Sequence, residues 1–205
     1  MSIIFFKDAR CRVVALAWGL VLACTVPPEA FAQSCYNNTN ANLVQNGDFE
    51  SGKVGFIIPK WSVRWTGTLS DGSMVDPNLQ VGNDNPHNGA KELDLGTTFG
   101  ANDIFQAVRH TTAGALYTVC FWLASAPDPA VGKTSFEVLW NDVNELELIQ
   151  SGPSIYQYYS FVVSANGAND HLRFRERNDQ GYYYLDDVAV QLCTGCTSAP
   201  RFKKK

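Results

Sequence analysis

The chain of 205 residues carries 16 Lys and Arg against 20 Asp and Glu, a formal net charge of −4. That acidic balance excludes a nucleic-acid binder, which needs a basic face to neutralise phosphates. The length allows one good core and not two ordinary domains once the leader described next is set aside.

Lys7, Arg10 and Arg12 precede an apolar run from Val13 to Ala23. The run is about a dozen residues, short of the roughly 20 that span a membrane. With Ala30-Phe31-Ala32 behind it, the segment reads as an export signal cleaved before Gln33. Residues 1–32 are therefore expected to be a signal peptide, and the mature chain to be secreted, whether extracellular, on the cell surface or periplasmic, with no membrane insertion. The leader holds three basic and two acidic residues, which leaves 13 Lys and Arg against 18 Asp and Glu. Four of those 13 lie in the tail from Arg201 to Lys205, so the body stands near −9. Residues 33–41 read as a lead-in, 42–193 as one β-sandwich domain, and 194–205 as a disordered basic tail.

Along the body, short runs alternate apolar and polar residues with period two, the pattern of strands with one buried face. Leu116 to Leu123 places Tyr117, Val119, Phe121 and Leu123 on one side and Trp122 on the other. Thr134 to Trp140 groups Phe136, Val138 and Trp140, and Tyr158 to Ser164 groups Tyr159, Phe161 and Val163. His171 to Glu176 sets Leu172 and Phe174 against Arg173 and Arg175. Tyr183 to Leu192 is a last strand, with Leu185, Val188 and Val190 toward the core. No helical period holds over three turns. Many short strands between Gly, Asn and Pro turns imply an all-β sandwich or barrel.

Four cysteines follow the leader: Cys35, Cys120, Cys193 and Cys196. They allow three complete pairings in an export context. A bridge from Cys35 to Cys193 or Cys196, tying the two ends together, is the preferred reading. The Cys193-Thr194-Gly195-Cys196 spacing has no βαβ pattern before it and no second such pair, which argues against redox and zinc roles.

Two segments are more specific. Asn42 to Gly52 reads NLVQNGDFESG, followed by Trp61, and Tyr183 to Val190 reads YYLDDVAV. Between them come Gly89 to Leu95 (GAKELDL), Ile104 to Val108 and Gly114 to Trp122. This order resembles the carbohydrate-binding modules of the family 4, 9 and 22 type, over nearly all of Asn42 to Leu192. The resemblance implies a galactose-binding-like jelly roll of two antiparallel sheets whose first and last strands lie side by side. It also implies one structural calcium, with Asp48, Glu50, the Lys91 backbone carbonyl and Asp186 as its ligands. Calcium takes six to eight oxygens, so carboxylates and carbonyls are the right donors.

Sugar recognition needs aromatic platforms and planar hydrogen-bonding groups. Trp61 and Trp140 are expected in the core. Trp65 and Trp122 are the platform candidates. Asn102, Asn141, Arg173 and Arg175 are the polar candidates, since the resemblance places a cleft across their sheet. The two arginines share a face, and the bland reading pairs them with Glu137 or another acid on a neighbouring strand. Asp186 and Asp187 are expected on opposite faces of a strand, and no histidine sits in a metal or nucleophile motif. The chain is thus expected to be a non-catalytic binder of poly- or oligosaccharide. The alternative is a structural or adhesive extracellular protein that keeps the fold and has lost glycan binding.

Overall fold

The computed structural model describes residues 35, 39–55, 58–65, 78–96, 100–126, 134–149, 155–167, 169–178 and 181–196. The side chains of Trp65 and Asn78 fall outside that set, as do residues 1–32, where the export signal is expected, and residues 197–205, where most of the basic tail is expected.

Ten strands build two antiparallel five-stranded sheets. They are β1 (Ser62–Trp65), β2 (Asn78–Gly82), β3 (Glu92–Gly96), β4 (Asn102–Val108), β5 (Leu116–Ser125), β6 (Thr134–Trp140), β7 (Val143–Ile149), β8 (Gln157–Ser164), β9 (Asp170–Asn178) and β10 (Tyr182–Leu192). One sheet runs β1-β4-β9-β6-β7 and the other β2-β3-β10-β5-β8. Alternation decides what each sheet buries. Ile104, Val108, Phe136, Val138, Leu172 and Phe174 from the first sheet meet Leu93, Leu95, Val119, Phe121, Leu123, Tyr183 and Leu185 from the second, all buried. Trp61 and Trp140 join this core as expected; their indole N–H groups donate to the carbonyls of Asn46 and Ser164. Tyr183 is buried between half-exposed Tyr182 and Tyr184, as alternation requires.

The two ends of the domain do lie together. Leu43 N–H donates to the Val190 carbonyl, Val188 N–H to the Gly47 carbonyl, and the Asn42 side chain bridges Val188 and Val190. The bridge expected there is absent. Cys35 pairs with Cys120 on β5, and Cys193 pairs with Cys196. The reason lies in the strand order: β5 neighbours β10, so Cys120 on its outer face faces the incoming lead-in, while Cys193 and Cys196 close a turn of their own.

Candidate functional site

The outer face of the β1-β4-β9-β6-β7 sheet is organised in cross-strand rows. One row reads Arg64, Asp103, Arg175, Glu137 and Glu147, each opposite the next on the neighbouring strand. Asp103 is fully buried, and its carboxylate accepts from Arg64 at 2.6 Å and from Arg175 Nε at 2.7 Å. Burial alone would raise its pKa; the hydrogen bonds from Arg175 and Arg64 hold it below the usual aspartate value instead. Arg175 also reaches Glu137 at 4.0 Å. The pairing of the arginine face with acids on neighbouring strands is therefore present, with Asp103 as its centre.

The next row reads Ser62, Phe105, Arg173 and Leu139, and the row beyond it sets Ala107 against His171. Here the face opens into a groove of about 470 Å³ lined by Lys60, Ser62, Phe105, Arg109, His171 and Arg173, among others. The Phe105 ring is half-buried in this groove, with the Arg173 guanidinium 5.9 Å from its centroid. Arg173 is anchored from the side by Asp142 at 2.8 Å. A second hollow, along Arg109, His110, Thr111 and His171, continues the groove past Ala107. Lys60, Arg109 and Arg173 bring three cations to the groove, and among the described residues no carboxylate lines its Phe105 end.

The sequence candidates scatter around this face. Arg173 and Arg175 stand on it together. Asn102 does not: it points inward, is 4% exposed, and donates to the Gly96 carbonyl and to Glu176. Position 102 is in phase with Ile104, so alternation turns it to the core. Asn141 is also internally engaged. It donates to Asp170 at 2.5 Å and accepts from His171 N–H, so it fixes the β6–β7 turn where it was expected to offer its amide to a ligand. Trp65 closes β1, but its side chain lies outside the described residues. Phe105 was missed, although it alternates out of phase with Ile104, Gln106 and Val108.

No protein-family model matches the sequence, and no curated protein matches it. Solved structures do match. A family 61 carbohydrate-binding module, solved with β-1,4-galactotriose, superimposes with a TM-score of 0.52 at 14% identity, over 75% of this chain and 99% of that one. The C-terminal family 22 carbohydrate-binding module of Clostridium thermocellum Xyn10B gives 0.51 at 11% identity, over 78% of this chain and 99% of that one. The enzymatically active domain of bacteriophage CBA120 tailspike protein 4 gives 0.53 at 16% identity over 74% of this chain, which spans 21% of that tailspike chain. The fold is the jelly roll of carbohydrate-binding modules.

On the other sheet of the jelly roll, Trp122 faces outward from β5, as expected, but it is not an open platform. The His87 ring stacks on it at 4.0 Å, and Tyr158 leans against it at 5.3 Å. Trp122 and the arginine face belong to opposite sides of the sandwich and cannot grip one sugar. His87 is held by a pair of acids that alternation had placed apart. A bulge between Asp186 and Ala189, with Asp187 at φ 50°, turns both aspartates to the same loop. Asp186 accepts from the N–H groups of His87 and Asn88, and Asp187 meets His87 Nδ1 at 2.7 Å. Burial pushes Asp186 up to about 7, against the lowering effect of those amides.

The expected calcium ligands already have internal partners. Glu50 Oε1 accepts from the N–H groups of Ala90 and Lys91. The Lys91 ammonium faces this end of the chain: it donates to the carbonyls of Glu50 and Gly52 at 2.7 and 3.0 Å. Asp48 is exposed and accepts from Glu50 N–H. Both Asp186 oxygens accept backbone amides. The Glu50 and Asp186 carboxylates are thus engaged by backbone amides, and the Lys91 ammonium stands beside the Glu50 and Gly52 carbonyls.

Proposed function

We propose that the chain is a secreted, non-catalytic carbohydrate-binding protein that holds an acidic oligo- or polysaccharide along the β4–β9 groove. The observation that carries the reading is the half-buried Phe105 ring lying in a groove whose charged lining is Lys60, Arg109 and Arg173. A flat aromatic ring accepts the apolar face of a pyranose, and guanidinium groups bind carboxylates in bidentate fashion. The chain as a whole is acidic, so a cationic groove is a local feature and not a consequence of composition. The jelly-roll fold supports a binding role, and two disulfides are consistent with an oxidising compartment.

The test is a binding screen of the mature chain against uronate-bearing and neutral polysaccharides. Uronate polymers are expected to bind, more weakly as salt rises. Phe105→Ala is expected to weaken binding about tenfold, equivalent to ~1.4 kcal/mol. Arg109→Ala is expected to weaken it and flatten the salt dependence. Absence of binding to every glycan, with an intact melting transition, would overturn the reading in favour of a structural or adhesive role.

A further inference from the structure

The groove and the hollow that continues it share Ala107, Arg109 and His171. Ala107 and His171 are cross-strand partners on β4 and β9, and Ala107 is small and exposed, so the two spaces join over it. Phe105 and Arg109 lie four positions apart, roughly 13 Å along an extended chain. A sugar ring seated on Phe105 therefore leaves the space over Ala107 for a later residue of the same oligosaccharide. His171, half-buried, forms one wall of that space.

Charged groups face His171 from each element around it. From the β6–β7 turn, Asp142 Oδ2 lies 3.6 Å from His171 Nε2. The same side chain is already paired with Arg173, two residues along β9, at 2.8 Å. Asn141 fixes that turn to the backbone of His171 on both sides, accepting from its N–H and donating its own N–H to its carbonyl. Arg109 and His110 come from the end of β4, and Lys60 from the segment before β1. Asp170, next to His171, is fully buried, and Thr111, Asn141 and the N–H groups of Asn166 and Gly167 already donate to its carboxylate. One carboxylate, Asp142, thus answers Arg173 and a protonated His171 together, so protonation adds positive charge to the groove.

We infer that His171 makes the hold of this groove on an acidic oligosaccharide pH-dependent, tighter in mildly acidic solution than in neutral. This rests on the glycan reading above and adds the residue that tunes it. Histidine is the side chain whose charge changes between about pH 5 and 8, whereas carboxylic acids such as uronates stay ionised there. As pH falls, the imidazole gains charge, the ligand keeps its own, and their attraction grows. Asp94 and Asp186, which burial pushes up to about 6 and about 7, belong to the opposite sheet and do not face the groove.

The experiment is equilibrium binding of galacturonate, mannuronate, guluronate and glucuronate tetrasaccharides to the mature chain. It is done at about pH 5.5 and about pH 7.5, on either side of the histidine range, at one low ionic strength. The wild type is expected to bind an acidic tetrasaccharide about fivefold more tightly at the lower pH, the effect of one solvent-screened unit charge at close range. His171→Gln, uncharged throughout, is expected to lose that difference. His171→Arg, charged throughout, is expected to bind at the higher pH as tightly as the wild type does at the lower. Wild-type binding that does not change with pH would overturn the inference and leave the glycan reading standing. So would a pH difference kept in His171→Gln and lost in His110→Gln. Binding of no tetrasaccharide at either pH would overturn the glycan reading, and this inference with it.

Discussion

Asp103 is the residue on which the arginine face turns. Its carboxylate is shut off from solvent, yet Arg64, Arg173 and Arg175 all approach it, at 2.6, 3.8 and 2.7 Å. Replacing it with Asn leaves two guanidinium groups without their shared acceptor and is expected to cost about 2–3 kcal/mol at neutral pH, as read by urea unfolding. The pH dependence has a definite sign. The folded-state pKa of Asp103 lies below the ordinary value of 3.8, as does that of Asp170, where burial is outweighed by hydrogen bonds led by Thr111. Their contribution is complete above that value and is lost as pH falls through the lowered folded pKa. The melting temperature should therefore drop on acidification below about pH 4, and Asp103→Asn should flatten that drop. An unchanged acid limb in the variant would mean that the arginines hold Asp103 only weakly. At this scale the sequence was readable wherever one alternation rule sufficed. Arg173 and Arg175 share a face, and Trp61 and Trp140 are in the core. Asn102 and Phe105 obey the same rule: the phase of β4 set by Ile104 and Val108 turns Asn102 inward and Phe105 outward.

At the level of elements, the runs over Leu116–Leu123, Thr134–Trp140, Tyr158–Ser164, His171–Glu176 and Tyr183–Leu192 all fall within observed strands. The strands left unread include β3 and β7, whose Glu and Asp residues are poor strand formers by propensity. In β3 the two acids are buried as fully as the leucines, so the contrast between faces that alternation relies on disappears. The bulge in β10 had a signal in plain view. Leu185, Val188 and Val190 are all core residues, and the odd step from 185 to 188 requires one extra residue. That bulge receives the segment before β1 through Gly47, whose carbonyl accepts from Val188 N–H at 2.8 Å. A Cβ on residue 47 would lie 2.1 Å from the Val188 carbonyl oxygen, a backbone atom that has no rotamer to move. Gly47→Ala is accordingly expected to cost about 2–4 kcal/mol. It should also raise the hydrogen-exchange rate of the Val188 and Val190 amides. Unaltered protection at those amides would show that the Gly47 segment does not brace the bulge.

For the whole molecule, the question is what holds a sandwich whose ends meet through hydrogen bonds. Cys35 and Cys120 are 85 residues apart, whereas Cys193 and Cys196 are separated by 3. Cross-linking stabilises mainly by restricting the unfolded chain, and the effect grows with the logarithm of the loop closed. The long bridge should therefore contribute about 4–5 kcal/mol and the short one about 2 kcal/mol. The long bridge also pins the lead-in to an inner strand of its sheet, since β5 pairs with both β8 and β10. Near it, Cys35 N–H donates to the Tyr158 hydroxyl at 3.0 Å, so the attachment extends across β8 as well. Cys35→Ala with Cys120→Ala should lower the urea midpoint by more than Cys193→Ala with Cys196→Ala. Peptide mapping of the unreduced wild type should recover the Cys35 and Cys120 peptides as one cross-linked species. Recovery of Cys35 joined to Cys193 or Cys196 would instead restore the end-to-end tie. The two double variants would then lose comparable stability, because each would open a loop spanning most of the domain.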